Sequence, residues 1–232
     1  MDLKCIKSGS TGNCYILEAG ESRLLLEAGI NFKAIQKACN FELMQFDACL
    51  VTHEHCDHSK AVKDLLKKGL PVYATSGTFE ALNLRYNHNM HKIEYGKTIN
   101  INDFKILPFK TQHDAKEPAG FLIEHSGNRL LFATDTYYIK YIFKKLNILA
   151  IECNYHLPIL QKNMDLGYIP ERYGKRVLKS HFSLDNVIKY LEKLDLTCCH
   201  KIYLLHLSDA NSDADFFKSV IEKTFMIETE VF

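Results

Sequence analysis

Apolar and polar positions along the chain fall into short alternating runs broken by turn residues, interleaved with segments of helical period. Residues 3–7, 14–18 and 23–27 read as strands and predict an opening β meander. Residues 31–39 then place Phe32, Ile35, Ala38 and Cys39 at helical spacing. A β–α alternation follows: strand 48–52, helix 59–68, strand 71–74, helix 77–85. A second run of strands covers 92–95, 98–101, 104–109, 120–124 and 129–133. Beyond residue 138 helices and strands alternate again, with apolar strands at 148–151 and 202–206 and a helix at 184–194 that Ser183 is placed to cap. Two strand-rich halves with interleaved helices suit two packed sheets with helices outside, an α/β αββα four-layer sandwich. No Pro/Gly/Ser linker interrupts the 232 residues, so one domain spanning 1–232 is expected.

Composition narrows the class. Hydrophobic residues make up 47%, enough for a sizeable core, and no apolar run approaches the length of a membrane span. The start, Met1-Asp2-Leu3-Lys4-Cys5, reads as a charged strand rather than a signal peptide. Eight cysteines are scattered without a C-x-x-C pair, which points to reduced thiols and a cytoplasmic location. The net charge of +1 decides nothing about nucleic acid, because binding depends on local patches. Two such patches exist. Lys60, Lys63, Lys67 and Lys68 read mainly as a solvated helix face. Arg172, Lys175, Arg176 and Lys179 stand just before His181, either as a phosphate clamp or as a second solvated face.

The candidate chemistry is concentrated in His53-Glu54-His55-Cys56-Asp57-His58, three of the chain's eleven histidines within six residues. The run follows a predicted strand and precedes a predicted helix, a place where α/β folds put their sites. In extended backbone, side chains at i and i+2 point the same way, so His53 and His55 can share one ion. Asp57 and His58, at the turn into the helix, can face a second. Cys56 points away from its neighbours and is not expected to bind. Imidazole and carboxylate suit zinc, and also iron or manganese. His113, Asp135 and His206 each end an apolar strand and are further candidate ligands.

The order H-x-H-x-D-H, His, Asp, His resembles the metallo-β-lactamase fold superfamily, and the resemblance runs the length of the chain. It implies that His53, His55 and His113 bind one divalent ion, that Asp57, His58 and His206 bind another, and that Asp135 bridges them. Glu27 stands where the superfamily usually has an Asp that supports the metal loop. A narrower resemblance is to the YycJ/WalJ type. Its stretches here are Ser8-Gly9-Ser10-Thr11-Gly12-Asn13, Pro71-Val72-Tyr73-Ala74, His113-Asp114-Ala115-Lys116-Glu117-Pro118, Ala133-Thr134-Asp135-Thr136, Glu152-Cys153-Asn154, Gly167-Tyr168-Ile169-Pro170 and His206-Leu207-Ser208. That type is associated with 5′→3′ exonuclease activity on double-stranded DNA. Departures from its pattern are Tyr137 in place of Gly, Leu184 in place of Asn, and Ser212 in place of a second Asn after Asn211.

The resemblance implies two metal ions, zinc first with Mn²⁺ or Fe²⁺ as alternatives, acidifying a water that attacks phosphorus. Asp57 would also orient that water. His181 is the best proton donor to the leaving oxygen, and Glu152 is placed to keep it protonated, matching the Glu and His of ribonuclease Z; the plain alternatives are a helix-start histidine and a surface acid. Asn154, Asn211, Arg172, Lys175 and Arg176 are expected at the substrate. His88 and His91 are expected in a polar loop and His125 and His200 at ordinary surface positions, while His156, close in sequence to Glu152, is one candidate for the substrate mouth. The expected partner is nucleic acid, DNA ahead of RNA, or a small phosphodiester such as a cyclic phosphate, with no membrane and an open oligomeric state. Another hydrolase of the fold, or a non-catalytic metal- or nucleic-acid-binding descendant, are the competing readings; metal content discriminates the last.

Overall fold

The computed structural model describes residues 1–232, and the backbone groups into two compact units. The first comprises Met1–Lys110 with Ala115–Asn128, and the second Thr111–Asp114 with Arg129–Phe232.

The first unit opens with the meander β1 (Asp2–Lys7), β2 (Cys14–Ala19) and β3 (Ser22–Leu26), paired antiparallel. Helix α1 (Phe32–Ala38) then carries the chain over to β4 (Ala48–Leu50), which joins β3 in parallel. Helices α2 (Cys56–Ser59) and α3 (Val62–Lys67) lead to β5 (Val72–Thr75), and α4 (Ser76–Ala81) leads to β6 (Met90–Ile93). Their strands complete a six-stranded sheet in sequential order. One core cluster joins Leu25, Val51 and Val72 of this sheet region with Ile35, Val62, Leu65 and Phe79 of the helices. An antiparallel meander, β7 (Ile99–Ile101), β8 (Phe104–Lys110) and β9 (Ala119–His125), completes the unit. It is tied back where the amide of Asn102 donates to Ser22 Oγ and Asp47, and where Ala119 N donates to Thr52 O.

In the second unit β10 (Asn128–Ala133), β11 (Ile148–Glu152), β12 (Lys201–Leu205) and β13 (Glu228–Val231) run parallel in sequential order. Their near-continuous apolar runs fit strands covered on both faces, and every residue of β11 is buried. Helices α5 (Leu157–Asp165), α6 (Glu171–Ser180), α7 (Leu184–Leu191) and α8 (Ala214–Phe225) supply the connections. Helices α5 and α6 approach closely because Gly174 leaves room for Met164, whose sulfur an added Cβ would meet at 2.1 Å.

Several expected elements differ. The helix expected at 59–68 is broken in two and starts earlier, because the carbonyl of Ala28 takes the Ala61 amide and so interrupts the helical ladder. The helix expected at 77–85 is α4, which ends at Ala81, and Asn83 follows in left-handed backbone. His91 lies on β6 rather than in a loop, stacked on Tyr73 at 4.6 Å between ring centroids. Residues 139–147 form no helix or strand.

Ser183 does cap α7, accepting from Asn186 N at 3.2 Å. Ser183→Ala is expected to cost about 1 kcal/mol of stability, read as a lower midpoint in urea denaturation.

Candidate metal centre and proton donor

Each unit carries its own set of candidate metal ligands, held by buried hydrogen bonds. In the first unit β4 delivers the chain to Thr52 and His53, both buried. Thr52 Oγ1 donates to Glu27 Oε1 at 2.5 Å, so it accepts from the ring of His53, whose Nδ1 lies 2.9 Å away. That puts the His53 proton on Nδ1 and leaves a lone pair on Nε2. Nε2 faces His55 Nδ1 at 3.1 Å. The His58 ring packs on His53 at 4.1 Å between centroids, with Nε2 3.4 Å from Asp57 Oδ2 and Nδ1 3.4 Å from Glu27 Oε1. Glu27 is fully buried. Its carboxylate reaches both Thr52 and His58, so it supports this loop in the place expected of the superfamily's acid.

Asn13, in the Ser8–Asn13 stretch, braces the same loop. Its backbone N–H donates to Asp57 O at 2.7 Å, and its side-chain amide donates to Gly9 O and Asp57 O. The same amide lies 3.1 Å from His58 Nε2. Gly29 N donates to Asn13 O, and Ala28 N donates to His58 O. The Ser8–Asn13 stretch thus clamps the metal-ligating loop from beneath. Glu117, in another quoted motif, accepts from Gly77 N at 2.6 Å and holds the start of α4. Cys56 is exposed.

In the second unit His113, Asp135, Glu152, His181 and His206 converge. His113 Nδ1 donates to Ser180 O at 2.9 Å, which leaves Nε2 free of a proton, 3.5 Å from Asp135 Oδ2. Burial lowers the pKa of His113 and so favours the neutral, ligating form. Asp135 follows β10, and His206 follows β12 with Nε2 3.6 Å from Asp135 Oδ1. One group, Asp135, Glu152, His181 and His206, has all its ligand atoms within 4.8 Å of one another. Within it Glu152 is committed elsewhere. It is fully buried and accepts from Thr136 N at 2.6 Å, Phe182 N at 3.2 Å and His181 Nδ1 at 2.5 Å. Burial alone would favour neutral forms of both partners. The attraction between Glu152 and His181 prevails, lowering the Glu152 pKa and raising that of His181.

The residues expected at the substrate divide. Asn154 is buried and its amide donates to His206 O at 2.8 Å, so it is occupied in holding His206. Asn211 is buried as well, bonded to Ser208 Oγ and Asn163 in a loop. Arg172, Lys175 and Arg176 are exposed on α6, with Lys175 paired to Glu171 and Arg176 to Asp114, each at 2.7 Å. His156 precedes α5 and packs beside Phe216. Lys60, Lys63, Lys67 and Lys68 are exposed.

The donor types test the fit to metal. Imidazoles fixed with a bare nitrogen outward, beside carboxylates, are the ligand chemistry of divalent zinc, iron or manganese. A family model described as a beta-lactamase superfamily domain matches residues 22–206. The chain belongs to the beta-lactamase superfamily. Its His, Asp and Glu clusters on that fold make it a metal-dependent hydrolase. It is 31% identical over 223 residues to the exodeoxyribonuclease WalJ of Streptococcus pneumoniae, covering 89% of this chain and 81% of that one. To the exodeoxyribonuclease YycJ of Bacillus anthracis it is 30% identical, covering 89% and 82%. Among solved structures, the metallo-beta-lactamase fold protein YhfI of Bacillus subtilis superposes with a TM-score of 0.77 at 17% identity, over 99% of this chain and 95% of that one. Zinc-bound PqqB of Methylobacterium extorquens gives 0.72 at 15%, over 99% and 97%. The fold is the α/β metallo-β-lactamase type, mixed sheets flanked by helices. No helix is long and apolar enough to cross a membrane.

Proposed function

We propose that this superfamily member is a dinuclear metal-dependent phosphodiesterase that removes nucleotides from the 5′ end of DNA, working in the cytoplasm. Similarity to two exodeoxyribonucleases over most of both chains supports the substrate. The observation that carries the reaction type is the buried Glu152–His181 pair, because a poor alkoxide leaving group needs a proton. Of the residues proposed as ligands, the first unit supplies His53, His55, Asp57 and His58, and the second supplies His113, Asp135 and His206. When bound, two divalent ions, zinc before manganese or iron, supply Lewis acidity at the phosphoryl oxygens and an acidified water.

The chain's own residues do the rest. Asp57 orients the attacking water. Glu152 accepts from His181 Nδ1, stabilises the imidazolium and leaves Nε2–H directed outward. As the water oxygen, having given up a proton to solvent, bonds to phosphorus and the P–O bond to the leaving group breaks, His181 Nε2 passes its proton to the departing oxygen. Thr52 keeps His53 in the ligating tautomer, and Asn154 holds the backbone of His206 in place.

The test is hydrolysis of end-labelled duplex DNA with a 5′-phosphate, with Mn²⁺ or Zn²⁺ supplied, beside a His206→Ala control. Stepwise release from the 5′ end, absent in the control, is expected. Cleavage of only small phosphodiesters would move the substrate to that class. A protein that takes up no metal would be a binding module instead.

A further inference from the structure

A cleft lined by the residue after His181 has no part in the proposed chemistry. It encloses 240 Å³ and is lined by Tyr137, Tyr138, Phe182, Asn186, Lys189, Tyr190 and Lys193. Phe182 and Tyr190 are buried and form its floor, with ring centroids 6.3 Å apart. Tyr137 and Tyr138 are 41% and 47% exposed. Lys189 and Lys193 stand exposed on and just past α7. The cleft adjoins the proposed centre in sequence on two sides, since Tyr137 follows Asp135 by two residues and Phe182 follows His181.

The exposed rings are mounted on fixed backbone. Tyr137 N donates to Gln112 O at 3.1 Å, and Thr136 Oγ1 donates to Tyr138 O at 2.8 Å. Tyr190 Oη donates to Tyr141 O at 3.0 Å, which ties the 137–141 segment to α7. The stretch from Tyr137 to Lys145 contains Tyr137, Tyr138, Tyr141 and Phe143 with Lys140, Lys144 and Lys145, and no acid. The acids near these cations are Asp185, Glu192 and Asp195, the last facing Lys144.

We propose that this cleft is a nucleobase-stacking subsite for a single-stranded nucleic acid end, in which Tyr137 and Tyr138 stack on a base while Lys189 and Lys193 hold the adjoining phosphates. The inference rests on the phosphodiesterase reading for its substrate class. Its volume is below the roughly 300–1,000 Å³ of sites that engulf a drug-sized ligand, so it takes a ring rather than a longer segment. Aromatic faces accept any base, and interleaved lysines track the backbone, which is the chemistry of single-strand recognition. Tyr137 is also a departure from the pattern of the resembling subfamily, so this subsite belongs to this chain's own sequence.

The test is binding, measured by fluorescence anisotropy of a short labelled single-stranded oligonucleotide in chelator, where no hydrolysis occurs. The paired substitution Tyr137→Ala with Tyr138→Ala is expected to weaken binding roughly 5- to 100-fold. The paired Phe variants retain wild-type binding, and circular dichroism checks the fold of each. An abasic oligonucleotide should bind the wild type more weakly and lose the difference between wild type and Ala variants. Ala variants that bind the normal oligonucleotide as the wild type does, or that lose equally on the abasic one, would overturn the subsite. Failure of the wild type to hydrolyse DNA with metal present would overturn the enzyme reading instead, and the two results are read separately.

Discussion

His181→Ala is expected to slow DNA hydrolysis by roughly 10²- to 10⁴-fold while leaving bound metal unchanged. The imidazole is partly buried and sits 2.5 Å from a carboxylate that has no exposure of its own. A proton donor in such a pair supplies the leaving group, and removing it affects turnover more than substrate affinity. Elemental analysis beside the rate separates this from a ligand role, because a lost ligand would lower the metal content too. Glu152→Gln should fall in the same range and also cost about 3–5 kcal/mol of stability, since it strips the charge from a buried pair. The double variant should be little slower than either single one, as expected of groups acting as a unit. The pH dependence of the metal-free protein has a defined sign. The Glu152 pKa is held below the ordinary 4.5, so its contribution is present above that value and lost as pH falls through the lower folded value. The Gln variant therefore loses less stability below pH 4.5 than the wild type, which denaturation across pH reads directly.

The second large effect is expected at Gly29. A Cβ there would lie 1.6 Å from Asp57 O, 2.1 Å from Asp57 C and 2.7 Å from His58 N. All three are backbone atoms, so no side chain can swing aside. The same Asp57 carbonyl accepts from Asn13 N, so relief means pulling the ligating loop off its clamp. Gly29→Ala should cost at or above the roughly 1–3 kcal/mol usual for overpacking, with loss of bound metal. Gly69→Ala is the contrast. Nothing lies within 4 Å of its added Cβ, and its positive φ alone should cost on the order of 1 kcal/mol. Denaturant midpoints and metal content measured together give both results.

The parts legible in sequence are those set by local periodicity. Alternation places His53 and His55 on one side of an extended segment, and their facing nitrogens follow from that. The Ser183 cap and the apolar strands of the second unit are equally local. What the sequence hides depends on partners far along the chain. The clamp from Asn13 to Asp57 spans 44 positions, and Asn154 reaches His206 across 52. Both asparagines belong to quoted motifs, but composition alone cannot distinguish a substrate contact from a brace. The broken helix after the metal run has the same origin, since the carbonyl that interrupts it belongs to Ala28. The Tyr137–Lys145 segment offers apolar residues at several periods, so its irregular course is set by the hydrogen bond from Tyr137 N to Gln112 O and that from Tyr190 Oη to Tyr141 O.

Glu27, Asp135 and His206 have φ of +66°, +38° and +55°. Left-handed backbone at a residue bearing Cβ costs roughly 1–2 kcal/mol. Three of the side chains assigned to the metal centre are therefore held by main chain that would relax elsewhere if its surroundings allowed. The buried strands before them sustain that conformational tension, so the protein should be sensitive to core substitutions well away from the metal ligands. A loosened β3, β10 or β12 would release Glu27, Asp135 or His206 toward ordinary backbone, and catalytic competence would decline before the fold itself is lost.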